Sequence, residues 1–207
     1  MNLQSTLACA CLLTVMGTAV QADDLIVNGS FESPGYSGNA ILPSGSEFVA
    51  GWTTVLNGAE YFNATAFGGA ADGLMVVDLA HYIYSAGGIE QTVTTTIGET
   101  YDVSFYLGNF LASGRDGTGI VKVTVDGVTQ SFDTPEATAA VMVWDLASFQ
   151  FTAVDTTTTI RFWNDQNANQ HFALIDGVGV TAAVPEPGTW ALLLTGLGLL
   201  GWAARRR

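Results

Sequence analysis

Tyr101-Asp102-Val103-Ser104-Phe105-Tyr106-Leu107 is the stretch that decides the fold. Tyr101, Val103, Phe105 and Leu107 alternate with Asp102, Ser104 and Tyr106. A period of two puts alternate side chains on opposite faces of an extended backbone, so this is a strand with one buried face and one wet face. The pattern recurs downstream. Val121, Val123 and Val125 alternate with Lys122, Thr124 and Asp126, and Phe149 and Phe151 flank Gln150. Asp126-Gly127, set between Val125 and Val128, predicts a tight hairpin because both residues tolerate positive φ. Gly98 predicts a similar turn between a strand over 89–96 and one over 100–107. Between the termini there is no amphipathic helix of useful length, and turn signals fall roughly 8–12 residues apart. The expectation is an all-β sandwich or jelly roll.

The two ends read differently. From Leu7 to Val20 the chain is apolar or small, and Val20-Gln21-Ala22 has the small-residue form of a cleavage site. Residues 1–22 are therefore expected to be a signal peptide, although Met1 to Thr6 lacks the usual basic residue. Cys9 and Cys11, the only cysteines, would leave with it, so the exported domain at 23–183 would contain neither thiol nor disulfide. At the other end Pro185-Glu186-Pro187 precedes an uncharged apolar run from Trp190 to Ala204, and the chain closes with Arg205-Arg206-Arg207. Such a run predicts a short transmembrane helix with cytoplasmic arginines. In that order, motif, helix and basic cluster resemble the PEP-CTERM sorting signal of Gram-negative bacteria, over 184–207. The resemblance implies processing by exosortase, with Pro185, Glu186 and Pro187 as substrate residues. It further implies an inner-membrane-anchored precursor that reaches the cell surface or the extracellular matrix, in cells that make exopolysaccharide.

Charge narrows the partners. The whole chain carries a formal −13. Between 23 and 183 only Arg115, Lys122 and Arg161 are basic, against 18 acidic residues, a net of −15. A polyanion would be repelled, which excludes nucleic acid as a partner. Neutral glycans, divalent cations and basic surfaces remain.

Three further pieces carry a second resemblance, covering nearly all of residues 24–181. Leu25-Ile26-Val27-Asn28-Gly29-Ser30-Phe31-Glu32 with Gly51-Trp52 opens the domain. Gly88-Ile89-Glu90-Gln91-Thr92-Val93 with Tyr101-Asp102-Val103 sits in the middle, and Leu174-Ile175-Asp176-Gly177-Val178 closes it. In that order they resemble galactose-binding-like jelly rolls, among them carbohydrate-binding modules and the exported choice-of-anchor C type. Where those families commonly have Asp-Asp-Val or Asp-Asn-Val, Gly177 stands here, so only Asp176 carries over. The resemblance implies that the first and last strands meet. It implies a structural Ca²⁺ near their junction, with Glu32 and Asp176 as ligands and Asp24 or loop carbonyls completing the oxygen shell.

Carbohydrate binding needs aromatic faces beside amides or carboxylates, because the flat side of a sugar stacks on a ring while polar groups read its hydroxyls. The candidates are Tyr82 and Tyr84, which share a strand face by spacing, together with Phe110, Trp144, and Trp163 with Asn164. Tyr61 and Phe62 are further aromatic candidates, whereas Trp52, in its Gly-Trp motif, is expected in the core. Catalytic signatures do not accompany them. The only histidines are His81 and His171, and no HExxH or Gly-x-Ser-x-Gly occurs. The Gly-rich segment 114–119 lacks a phosphate-loop lysine and reads as a strand connection. The sequence thus predicts a non-enzymatic, exported protein that binds exopolysaccharide. The alternative is a structural matrix protein working through protein contacts alone.

Overall fold

The computed structural model describes residues 22–80, 86–112, 114–115, 117–166, 170–183, 194–198, 201 and 204–205. Residues 22–183 form one compact unit. Its strands are β1 (Asn39–Leu42), β2 (Thr53–Leu56), β3 (Ala59–Asn63), β4 (Met75–Asp78), β5 (Gly87–Thr94) and β6 (Thr100–Asn109). They continue with β7 (Ile120–Val125), β8 (Val128–Asp133), β9 (Val143–Thr152), β10 (Thr157–Asn164) and β11 (Leu174–Ala182). A single 3-10 turn, Ala64–Phe67, follows β3. Within the C-terminal unit, 194–198, 201 and 204 are helical. Among the described residues no helix is long and apolar enough to cross a membrane. Residues 1–21 of the predicted signal peptide and Pro185-Glu186-Pro187 lie outside the described residues.

Two antiparallel sheets make the sandwich. One runs β1-β3-β4-β11-β6-β9, the other β2-β5-β10-β7-β8. Alternation along β6 and β10 aims Val103, Phe105, Ile160 and Phe162 inward. Trp52 is buried with Phe31 and Phe162 at ring separations of 5.4 and 6.2 Å. Its core assignment is therefore what the structure shows, and its indole N–H donates to Asn28 O at 3.0 Å.

Asp126-Gly127 closes the β7–β8 hairpin with φ of 49° and 78°, the pair of positive values that a type I′ turn requires. Gly98 behaves differently from its expectation. Its φ is +82°, but β5 pairs with β2 and β10 while β6 pairs with β9 and β11. The turn carries the chain from one sheet to the other, anchored by Gly98 N–H to Ala153 O at 2.8 Å. The turn residue sets the reversal, but pairing is decided by which strand covers which part of the core.

The chain ends of the domain meet. Asp24 bridges Thr181, Leu25 N–H donates to Val180 O at 2.8 Å, and Val178 N–H donates to Gly29 O at 2.9 Å. Asp24 Oδ1 accepts from both Ile26 and Val180 N–H at 2.9 Å. With no cysteine in 22–183, this backbone seam joins the two ends.

Over β3, β4 and the start of β11 the outer face of the six-stranded sheet is buried as well. Phe62, Val76 and Leu174 point away from the main core and form a second cluster with Phe110, Met142 and Phe172. Trp144 lies flat over Gly108 here, so close that a Cβ would stand 2.4 Å from its ring. Gly108→Ala is expected to displace that ring and cost about 1–3 kcal/mol by overpacking. Chemical denaturation would check it: an unchanged midpoint would mean the indole has room to spare.

Candidate functional site

The outer apolar face is roofed only in part, and the gap is a cleft of about 770 Å³. Three elements build it. Strands β1 and β3 supply Asn39, Glu60 and Phe62; the 3-10 turn supplies Phe67; the segment after β6 supplies Phe110 and Arg115, with Phe172 beside them. Asn63 caps the 3-10 turn by accepting from Thr65 N–H at 3.0 Å. The turn thereby swings Phe67 back over the sheet, half-buried, 4.9 Å from the Phe110 ring and 5.9 Å from that of Phe62. Phe110 in turn stacks on Phe172 at 4.0 Å.

Arg115 is the cleft's buried cation, 4% exposed. Its guanidinium sits 3.5 Å from the centroid of the Phe172 ring and pairs with Asp78 at 3.0 Å. It also donates to the carbonyls of Ala80 and His171. Asp78, wholly buried, accepts from Ala80 and Ala173 N–H through its other oxygen. Glu60, opposite Asp78 in the β3–β4 register, accepts from the Asn39 amide. Burial, then the Asp78 charge, push the Glu60 carboxyl up to about 7, against the opposing pull of Arg115 and the Asn39 hydrogen bond. His171 is lowered by burial and by Arg115, and its Nε2 has no hydrogen-bond partner among the described residues.

The predicted site residues scatter around this centre. Phe110 reaches it, though as a buried wall and not an exposed platform. Phe62 lies in the wall as well, whereas Tyr61 is core and donates its hydroxyl to Phe31 O at 2.7 Å. Trp144 caps the same apolar cluster, half-buried, its N–H on Gly69 O at 3.2 Å. Trp163 sits on the outer face of the other sheet, its N–H on Thr124 Oγ1 at 2.9 Å and Lys122 Nζ 4.7 Å from its ring centroid. Asn164 is not available to a ligand: it is fully buried and its amide links Ile120 O to Gln166. Tyr82 and Tyr84 lie outside the described residues.

The sequence reading missed Asn39, Glu60 and Arg115. In the sequence Arg115 falls in a Gly-rich strand connection, and its partner Asp78 lies 37 positions away. The available signal was scarcity, since it is one of three cations in 23–183. All three are ion-paired, Lys122 with Asp165 at 2.6 Å and Arg161 with Glu90 at 2.7 Å.

Glu32 and Asp176 converge on one loop. Glu32 Oε1 accepts from Leu74 and Met75 N–H, both at 2.7 Å. Asp176, wholly buried beside the β11 bulge, accepts from Asp72 and Gly177 N–H at 2.8 and 2.7 Å. Burial raises its carboxyl to about 7, the backbone donors pulling the other way. Among the described residues no three His, Cys, Asp or Glu side chains are grouped to hold a metal, so further ligands there would be carbonyl oxygens.

Residues 24–181 match the family model described as a protein of unknown function, DUF642, and residues 183–207 match the PEP-CTERM protein-sorting motif. The chain belongs to the DUF642 family. No curated protein matches it. Among solved structures it is similar to a carbohydrate-binding module in complex with β-1,4-galactotriose, at 18% identity and a TM-score of 0.47, over 78% of this chain and 100% of that one. A xylan-binding domain from Paenibacillus barcinonensis gives 16% and 0.47 over 81% and 99%. An arabinose-bound α-L-arabinofuranosidase gives 14% and 0.51 over 79% of this chain and 27% of that enzyme. At these identities the likeness is one of fold, the jelly-roll sandwich that the second resemblance implies. The C-terminal segment of this DUF642 protein is a sorting motif, as its Pro-Glu-Pro, apolar run and arginines imply.

Two predictions follow from the buried charges. Glu60 and Asp176 bind protons more tightly folded than unfolded, so their contribution to stability is full below about pH 4 and is lost as pH rises through about 7. The melting temperature should therefore fall between pH 5 and pH 8, and Glu60→Gln with Asp176→Asn should flatten that slope; an equally steep slope in the double variant would contradict the burial argument. Arg115→Met leaves Asp78 buried without its partner and should cost about 3–5 kcal/mol. Adding Asp78→Asn keeps an acceptor for Ala80 and Ala173 N–H and should recover part of that loss in urea unfolding.

Proposed function

We propose that this is an exported, exosortase-processed surface or matrix protein whose sandwich binds glycan without catalysis, in the cleft on the outer face of the six-stranded sheet. The observation that carries the reading is the cleft's make-up. Phenylalanine rings at Phe67, Phe110 and Phe172 line it, and the Asn39 amide and Glu60 carboxyl converge beside them. Apolar walls with a few placed polar groups are what a sugar ring requires, stacking on one side and hydroxyl recognition on the other. The sorting motif supports a location where exopolysaccharide is the abundant ligand. The membrane contact of the precursor would run through the C-terminal segment before processing.

Pull-down on polysaccharide extracted from the producing cells tests this. Phe67→Ala should weaken retention about tenfold, equivalent to about 1.4 kcal/mol, while Trp163→Ala, on the far sheet, should bind like wild type. Absence of binding by the wild-type protein would leave the structural matrix reading in its place.

A structural Ca²⁺ at Glu32 and Asp176 belongs to the same proposal. Its support is that both carboxylates hold the one loop and that Asp176 is fully buried with no ion pair among the described residues. Binding only the folded form, the ion would stabilise it. A chelator should then lower the melting temperature; metal-free protein with an unchanged melting curve would show that backbone donors suffice.

A further inference from the structure

The cleft also carries information on which sugars it accepts, an inference that rests on the glycan reading above. At physiological ionic strength charges are screened over about 8 Å, so the groups that matter are those at the cleft itself. Among the described residues these are Glu60 on β3 and Arg115 after β6, which line the cleft, with Asp78 on β4 wholly buried behind them. Among the described residues His171 faces the same cluster, and burial and then the Arg115 charge disfavour its protonated form, against the opposing pull of Asp78.

The balance of these groups has one sign. Arg115 is the only cation, and it is already matched. Asp78 holds it at 3.0 Å, the Ala80 and His171 carbonyls take further donors, and the Phe172 ring covers one face of the guanidinium. Glu60 is a second carboxylate with no cation of its own. With Glu60 ionised, the cluster carries two negative charges and one positive. With Glu60 protonated, it is neutral. In neither state is it positive. A bound uronate would need a free guanidinium or ammonium to offset desolvation of its carboxylate, and Lys122 and Arg161, the other cations of 22–183, are tied to Asp165 and Glu90 on the other sheet. The surrounding domain, with 18 acidic residues against three basic ones, adds repulsion at low salt.

We propose that the cleft selects uncharged sugar units and rejects uronates and other anionic sugars, with Glu60 as the group that enforces the rejection. Glu60 serves as a specificity residue in two ways. Its carboxyl, held by the Asn39 amide, accepts or shares a hydrogen bond with a sugar hydroxyl, and its charge repels a sugar carboxylate at the same position. Uncharged units lose nothing by meeting it, because hydroxyls are donors as well as acceptors.

The test uses the full chain in detergent and matched ligands differing only in charge: polygalacturonate oligomers with free carboxylates, the same oligomers fully methyl-esterified, and neutral galacto-oligosaccharides. Isothermal titration at pH 8 should give at least tenfold tighter binding to the esterified and neutral oligomers than to the free acid. Glu60→Gln should shrink that ratio several-fold, with a melting temperature showing the variant folded, whereas a merely structural role for Glu60 would move all three affinities together. Tighter binding of the free acid, or a ratio unaltered by Glu60→Gln in folded protein, would overturn the selectivity while leaving glycan binding intact. If none of these oligomers and no extracted polysaccharide binds, the glycan reading falls and the selectivity with it.

Discussion

Over β3, β4 and the start of β11 the six-stranded sheet is buried on both faces, and most of what is distinctive in this protein follows from that constraint. Strands β3 and β4 are buried almost throughout, and β11 is buried over its first three residues. One face is covered by the second sheet. The other must be covered by the connections themselves, since no further layer exists among the described residues. The 3-10 turn after β3, the segment after β6 and the residues before β11 all fold back to do this, and bring Phe67, Phe110 and Phe172 together. Covering a sheet with loops is less complete than covering it with a sheet. The cleft is the part left open.

A second constraint is the scarcity of positive charge. With three cations in 22–183, a buried carboxylate cannot in general be neutralised by an ion pair. Asp78 obtains Arg115, while Asp176 and Glu32 are held by backbone N–H groups of one loop. Backbone donors stabilise a carboxylate locally but do not cancel its desolvation, which is why Asp176 ends with a raised affinity for protons; Glu60, held by the Asn39 amide, is raised by burial and then by the Asp78 charge. The arrangement suits a domain that contains no cysteine: the seam between Asp24 and Val180 and the loop held by Glu32 and Asp176 tie distant parts of the chain at the domain's junction.

How much of this could be read from the sequence depends on how many faces of a strand are wet. The alternation of 100–107 and of Val121, Val123 and Val125 gave strands, the hairpin at Asp126-Gly127 and the sandwich class. Met75-Val76-Val77-Asp78 has no alternation to read because both of its faces are buried, and the second apolar cluster was therefore invisible. Gly98 marks a turn but cannot say whether the two strands pair, since that is settled by partners 34 to 77 residues away. The same distance problem governs the cleft. Phe110 was singled out for its aromatic ring, yet Glu60, Asn39 and Arg115 meet it only through strand register and a loop return. Asn164, chosen for its place beside Trp163 in a polar stretch, proved to be a buried amide holding β7 and β10 together.

The central claim is that ligand enters on the outer face of the six-stranded sheet. Nuclear magnetic resonance of isotope-labelled protein, titrated with neutral oligosaccharide, addresses it most directly. The account predicts that shifts concentrate at the Asn39 side-chain amide and the backbone of Thr65 to Phe67 and of Leu111 and Ala112, with residues of β7 and β10 unmoved. Shifts centred on the Trp163 indole and Thr124 would place the ligand on the opposite sheet and contradict it.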